Sequence, residues 1–174
     1  RLLQRLSLAA MEPAAHLTAE DVRNEKVKVL SCLRPMTDTT VRENTVIGQY
    51  TAGTVGGESV PGYLEEEGAG KSSATETFVA LKAEIDNWRW AGTPFYLRSG
   101  KRLAGKASEI VVQFRPIAHS IFPAESGRIE PNRLTIRLQP DEGVELSMVT
   151  KVPGPGHFKL RALPLNLSFS DTYD

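Results

Sequence analysis

The run Thr77-Phe78-Val79-Ala80-Leu81-Lys82-Ala83-Glu84-Ile85 decides the fold class. Thr77, Val79, Leu81, Ala83 and Ile85 alternate with Phe78, Ala80, Lys82 and Glu84. Successive side chains on a strand point to opposite faces, so this alternation predicts a strand with one apolar face. Outward from it, shorter runs at Val46–Tyr50, Phe95–Leu97, Glu109–Phe114, Leu134–Leu138, Val144–Val149 and Leu163–Phe169 read as further strands, bounded by Gly, Pro, Asn and Asp. No segment of ten or more residues with helical period lies between them. Parallel pairing needs such a crossover, so the sheet is expected to be mainly antiparallel. Ahead of the strands the period is helical. Leu2, Leu3, Leu6, Ala9 and Ala10 share a stripe that Pro13 ends. Thr18, followed three residues later by Asp21, resembles a capping box and starts a second helix, with Val22, Lys26, Val29, Leu30 and Leu33 on one face before Pro35. The expected fold is α+β: amino-terminal helices followed by a large, mainly antiparallel β-sheet, in one domain. Residues 51–73, with six glycines and one proline, read as a long functional or mobile loop.

The chain has 174 residues, 21 Lys plus Arg and 21 Asp plus Glu, so its formal net charge is zero. Without a net positive field, general binding to nucleic acid is not expected. The single cysteine, Cys32, excludes an internal disulfide framework and a cysteine-cluster zinc site, which suits a reducing compartment; a cytoplasmic location is expected. No stretch approaches the 18 apolar residues of a membrane span, and Gln4, Arg5 and Ser7 interrupt RLLQRLSLAAM where the core of a signal peptide would be continuous. The start at Arg1 and the stop just after the strand-like LPLNLSFSDTYD read as the ends of a fragment.

The densest basic cluster is Arg98, Lys101, Arg102 and Lys106 in FYLRSGKRLAGK, directly after a strand and broken by Gly100 and Gly105. Glycines let the backbone approach closely and ammonium groups supply charged donors, a combination suited to an oxyanion such as phosphate. A solvated loop is the plainer alternative. A P-loop is excluded: Phe95 stands where its first glycine would be, and Arg102 where a hydroxyl would meet magnesium. Glu65, Glu66 and Glu67 are consecutive in the glycine-rich stretch and are expected on a solvated face rather than in an acid/base site. His16, His119 and His157 are isolated from one another and lack metal-ligand spacing. Trp88 and Trp90 are expected in the core or an interface rather than as a stacking platform for bases.

Several segments carry a resemblance to a known family. DVRNEKVKVL, IGQYTAG, VPGYLEEEGAGKSSATETFVALKAEIDNWRWAGTPFYLRSGKRL, RLTIRLQPDEGVEL and KVPGPG look like the carboxy-terminal domain of glucose-6-phosphate 1-dehydrogenases, in family order, with SGKRL and RLQPDEG pointing to bacterial-type members. The resemblance implies oxidation of D-glucose 6-phosphate to its lactone with NADP, the entry to the oxidative pentose phosphate pathway. It also implies a homodimer packed through the sheet. Residues 1–174 would be part of the carboxy-terminal, substrate-binding and dimerisation domain. The coenzyme-binding domain, which sets NADP against NAD preference, is not within them, since no GxGxxG-type fingerprint follows a strand.

By the same resemblance Lys101 falls on a substrate-contacting lysine, Lys106 on a second basic position of that loop, and Gln139 on a glutamine near the sugar or a structural nucleotide. Arg98 and Arg137 match basic residues of a second, structural NADP site of certain eukaryotic members. Ala107 and Val111 stand where that site would have Lys and Arg, so it is not expected here. Arg1 occupies the position of the family's catalytic histidine, and an arginine, protonated at any physiological pH, cannot act as general base. Either the base has been lost or Arg1 marks a fragment boundary. No catalytic residue is therefore expected in this chain, and these residues alone are expected to be inactive. The alternative is a non-catalytic sugar-phosphate-binding or dimerisation module derived from the same domain.

Overall fold

A computed structural model describes residues 2–127, 129–155 and 158–169, so Arg1 and His157 lie outside the described residues. The chain divides into two compact units, residues 1–104 and residues 105–174.

In the first unit, helices α1 (Leu2–Ala10), α2 (Ala19–Ser31) and α3 (Asp38–Asn44) precede strands β1 (Thr45–Gly48), β2 (Gly53–Val55), β3 (Glu58–Val60), β4 (Phe78–Glu84) and β5 (Pro94–Gly100). Thr18 caps α2 as expected, its hydroxyl accepting from the Asp21 amide at 3.1 Å. Helix α3 had no legible start, because Thr40 takes the place of the usual Glu or Gln of a capping box. Thr37 Oγ1 accepts from the Thr40 amide at 3.3 Å while the Thr37 amide donates to Thr40 Oγ1 at 2.7 Å.

Strands β1, β4 and β5 form an antiparallel sheet with β4 in the middle. The register places Leu81 opposite Leu97 and Ala83 opposite Phe95, so the alternation read from Thr77–Ile85 continues across to β5. Helices α1 and α2 meet this region: Leu6, Ala10, Val29 and Ile85 make the core, and Leu33, Trp90, Phe95 and Leu97 pack against it. Ile85 is 1% exposed. Trp90 stands edge-on to Phe95, centroids 5.2 Å apart, and donates its indole N–H to the Ala10 carbonyl at 2.9 Å, satisfying a carbonyl at the end of α1. Trp88 does not join it in the core and is fully exposed.

The glycine-rich stretch is more ordered than a mobile loop. Its first part folds into the β2–β3 hairpin, turned by Gly56 and Gly57 at φ 61° and 88°. Two successive positive φ values twist a two-residue turn to match the strands, and glycine adopts them without a Cβ clash. A 3-10 turn follows at Tyr63–Glu65.

The second unit is a four-stranded antiparallel sheet in sequential order, β6 (Ser108–Gln113), β7 (Arg133–Gln139), β8 (Gly143–Lys151) and β9 (Leu160–Ser168). The α+β class and antiparallel pairing are as expected, while the strands divide among three sheets rather than forming one.

Candidate functional site

Thr77 organises the end of the first unit where β1 stops, β4 begins and β5 ends. Its amide donates to the Gly48 carbonyl at 2.9 Å and its hydroxyl accepts from the Tyr50 amide at 2.9 Å. Its carbonyl accepts from the Lys101 amide at 2.8 Å. Lys101 thus leaves β5 with its backbone tied to the neighbouring strand. Its side chain is exposed and forms no ion pair among the described residues, so the ammonium is available to an anion.

The next residue is held differently. Arg102 has φ 53°, the left-handed region, which a Cβ disfavours. Its guanidinium pairs with Glu66 and lies 5.7 Å from the centroid of the Tyr50 ring. The Tyr50 hydroxyl donates to the same Glu66 Oε1 at 3.1 Å, and the Tyr50 ring meets Tyr63 edge-on at 5.8 Å. Glu66, reinforced by the Tyr50 contact, pushes the Arg102 pKa up from its already high value.

The acidic run is therefore not merely a solvated face. Glu65 accepts from the Gly62 amide at 3.0 Å and Glu66 anchors Arg102, while Glu65 and Glu67 are both exposed. Gly62 itself sits so close to the backbone that a Cβ would come within 2.8 Å of the Ala52 nitrogen. Ser73 and Thr75 hydrogen-bond the Tyr63 phenol and hold its pKa below the usual tyrosine value of 10.0. Gln49 fixes these partners by donating to the Ser73 and Thr75 carbonyls at 2.7 and 2.9 Å. Tyr50, Tyr63, Glu66, Glu67, Thr77, Lys101 and Arg102 line an open cleft of about 470 Å³.

Of the residues singled out in the sequence, Lys101 borders this cleft. Lys106 and Gln139 belong to the second unit, at one end of the β6–β7 pair: Gln139 faces Ser108 in the register, and both Lys106 and Gln139 are exposed. Arg98 lies on β5 and is exposed, while Arg137 lies on β7, where its Nε is buried without a hydrogen-bond partner among the described residues. Sequence reasoning missed Tyr50, Thr77 and Glu66 as parts of the cleft. Nothing in their local pattern shows that the glycine-rich stretch folds back on the ends of β4 and β5. Among the described residues no group of three His, Cys, Asp or Glu side chains could hold a metal ion, and no helix is long and apolar enough to cross a membrane.

Helices first and antiparallel sheets after, with Lys101 bordering a cleft at a strand end, define an α+β fold. The chain belongs to the glucose-6-phosphate dehydrogenase carboxy-terminal domain family, whose pattern it matches over residues 1–174. It is 56% identical over 172 residues to the glucose-6-phosphate 1-dehydrogenase of Rhizobium meliloti (strain 1021), covering 99% of this chain and 35% of that protein. The enzyme of the same name from Dickeya dadantii (strain 3937) is 53% identical over 174 residues, again covering 99% and 35%. Among solved structures, a glucose-6-phosphate dehydrogenase in complex with its substrate glucose-6-phosphate superposes with a TM-score of 0.83 at 37% identity, covering 99% of this chain and 34% of the other. The chain thus spans about a third of the length of the relatives it matches.

Proposed function

We propose that this chain is the carboxy-terminal, substrate-binding part of a glucose-6-phosphate dehydrogenase. The whole protein would oxidise D-glucose 6-phosphate to 6-phospho-D-glucono-1,5-lactone with NADP, the first step of the oxidative pentose phosphate pathway, in the cytoplasm and as a homodimer joined through the sheet. The observation that carries this reading is the likeness, over 99% of the chain, to an enzyme solved with glucose-6-phosphate. Lys101 fits the part assigned to it. An ammonium group that forms no ion pair among the described residues, carried on backbone tied to Thr77, gives a phosphate dianion a charge-assisted donor. Lys106 and Gln139, in the second unit, are proposed as further substrate-binding residues on the resemblance of their segments to the family.

The described residues offer no dinucleotide cradle of the strand-to-helix kind. A dinucleotide cradle is built where a strand turns into a helix N-terminus, and all three described α-helices precede the first strand. The glycine-rich stretch leads into a hairpin and a 3-10 turn instead. The work left to these residues is to bind and orient the sugar phosphate.

Steady-state kinetics of the full-length protein test the reading. Lys101→Ala is expected to raise KM for glucose 6-phosphate by roughly ten- to a hundredfold, with a milder effect for Lys106→Ala, which lies farther along the chain from the end of β5. KM for NADP should change little in either variant. Normal kinetics in both at low ionic strength, where screening cannot hide a charge effect, would remove the phosphate assignment. Absence of any turnover in the unaltered full-length protein would favour the non-catalytic module.

A further inference from the structure

We propose that Arg102, clasped by Glu66 and Tyr50, is a positioning residue that sets Lys101 for the sugar phosphate. This rests on the reading of Lys101 as the phosphate-binding lysine. Arg102 is the non-glycine residue with positive φ among the described residues, and it immediately follows Lys101. The left-handed conformation brings Cβ against the backbone, so a residue with a long side chain holds it when contacts around it fix the chain there. Those contacts are an ion pair with Glu66 and a cation–π contact with Tyr50. The Tyr50 hydroxyl closes the triangle onto Glu66 at 3.1 Å.

Each member of the clasp is anchored to an element that also bears on Lys101. Tyr50 donates its amide to Thr77 Oγ1, and the Thr77 carbonyl receives the Lys101 amide. The Tyr63 amide donates to the Tyr50 carbonyl at 3.0 Å, tying the 3-10 turn before Glu66 to the same strand end. Lys101 is thereby fixed from both sides, through Thr77 at its own amide and through Arg102 at the next residue. The neighbouring guanidinium takes up Glu66, which with Glu67 is one of the two carboxylates lining the same cleft as Lys101.

The test is a double-mutant cycle in the full-length protein, read as KM for glucose 6-phosphate, kcat, KM for NADP and thermal midpoint. Arg102→Ala should raise KM for glucose 6-phosphate about three- to tenfold, with a smaller change in kcat and little in KM for NADP. Arg102→Lys, which keeps the charge but loses the planar fork, should recover part of that loss. The deciding arm is Arg102→Ala on the Lys101→Ala background, where no further rise is expected because nothing remains to be positioned. Additive losses, or a loss in Arg102→Ala that follows the thermal midpoint and touches both substrates alike, would reduce Arg102 to a stabilising residue and overturn the proposal. If Lys101→Ala raises KM and Arg102→Ala does not, the positioning role fails while the phosphate reading stands. If Lys101→Ala has no effect, both fail.

Discussion

Two regions of comparable apolarity are treated in opposite ways by this fold. Every buried hydrophobic side chain among the described residues, Leu6, Ala10, Val29, Ala83 and Ile85, lies in residues 1–104. The four-stranded sheet of residues 105–174 buries none, yet its pattern is at least as regular. Its register lines up Val112, Leu134, Leu146 and Leu165 across the four strands, with Ile110, Ile136, Val144 and Leu167 in the next row. Side chains directly opposite one another share a face, so these rows form one continuous apolar surface. The opposite face carries Glu109, Arg137, Glu145 and Asn166. Alternation therefore writes an apolar face equally well in both regions, and the difference is the cover: α1 and α2 close one sheet, whereas the other has no α-helix in its own unit among the described residues.

The largest expected effect lies in the covered region. Ile85→Ala removes a fully buried side chain from between the helices and β4 and should destabilise the chain by about 2–5 kcal/mol. Leu165→Ala, at a residue 50% exposed, should cost a monomer less than about 1 kcal/mol. Urea unfolding followed by Trp90 fluorescence and by circular dichroism measures both. Similar losses at the two sites would mean that the second sheet is covered in solution, as self-association through that face would make it.

Sequence legibility follows the same division. Alternation in Thr77–Ile85, the Thr18 cap and the strands of the second sheet were readable because each is a local pattern within one element. The β2–β3 hairpin was hidden because its strands are three residues each, too short to show a period, and its many glycines read as loop. Trp88 and Trp90 are two residues apart in a turn and carry the same composition signal, yet one enters the core and the other does not; the direction of a turn residue is set by tertiary packing. At the cleft, Lys101 could be picked out as a cation beside a glycine. Its supports at Thr77, Tyr50 and Glu66 come from segments 24 to 51 residues earlier in the chain and have no local mark.

Exposure of the second sheet's apolar face sets the next expectation, self-association of this chain. Contiguous apolar patches of this kind are uncommon on monomers and mark contact surfaces. Leu165 and Leu167 are 50% and 54% exposed on the edge strand β9, where they are accessible to a second copy. Light scattering should report a dimer or larger species, and Leu165→Asp combined with Leu167→Asp should shift it towards monomer without disturbing Trp90 fluorescence. A clean monomer of the unaltered chain at high concentration would assign the cover to another part of the full-length protein.

The smallest effect concerns how the covered region is fastened at its edge. Arg34, just beyond α2, donates to both oxygens of Asp86 at 3.0 and 2.6 Å and pairs with Glu84, while its amide donates to the Glu84 carbonyl at 2.9 Å. The Arg34 hydrogen bonds, opposed by some desolvation, hold the Asp86 carboxyl below its ordinary value of 3.8. A carboxyl depressed in the folded state binds its proton more readily when unfolded. Its contribution to stability is therefore present above 3.8 and lost as pH falls through the lower folded value. Arg34 stays charged throughout and does not alter the sign. The thermal midpoint of the unaltered chain should thus fall more steeply than that of Asp86→Asn as pH drops below about 3.8, and the two should converge at the acid end. Both side chains are about half exposed, so salt should shrink the difference. Parallel acid profiles for the two proteins at low salt would show that the bidentate pair contributes nothing, leaving the Ile85 core and the backbone hydrogen bonds to hold α2 against β4.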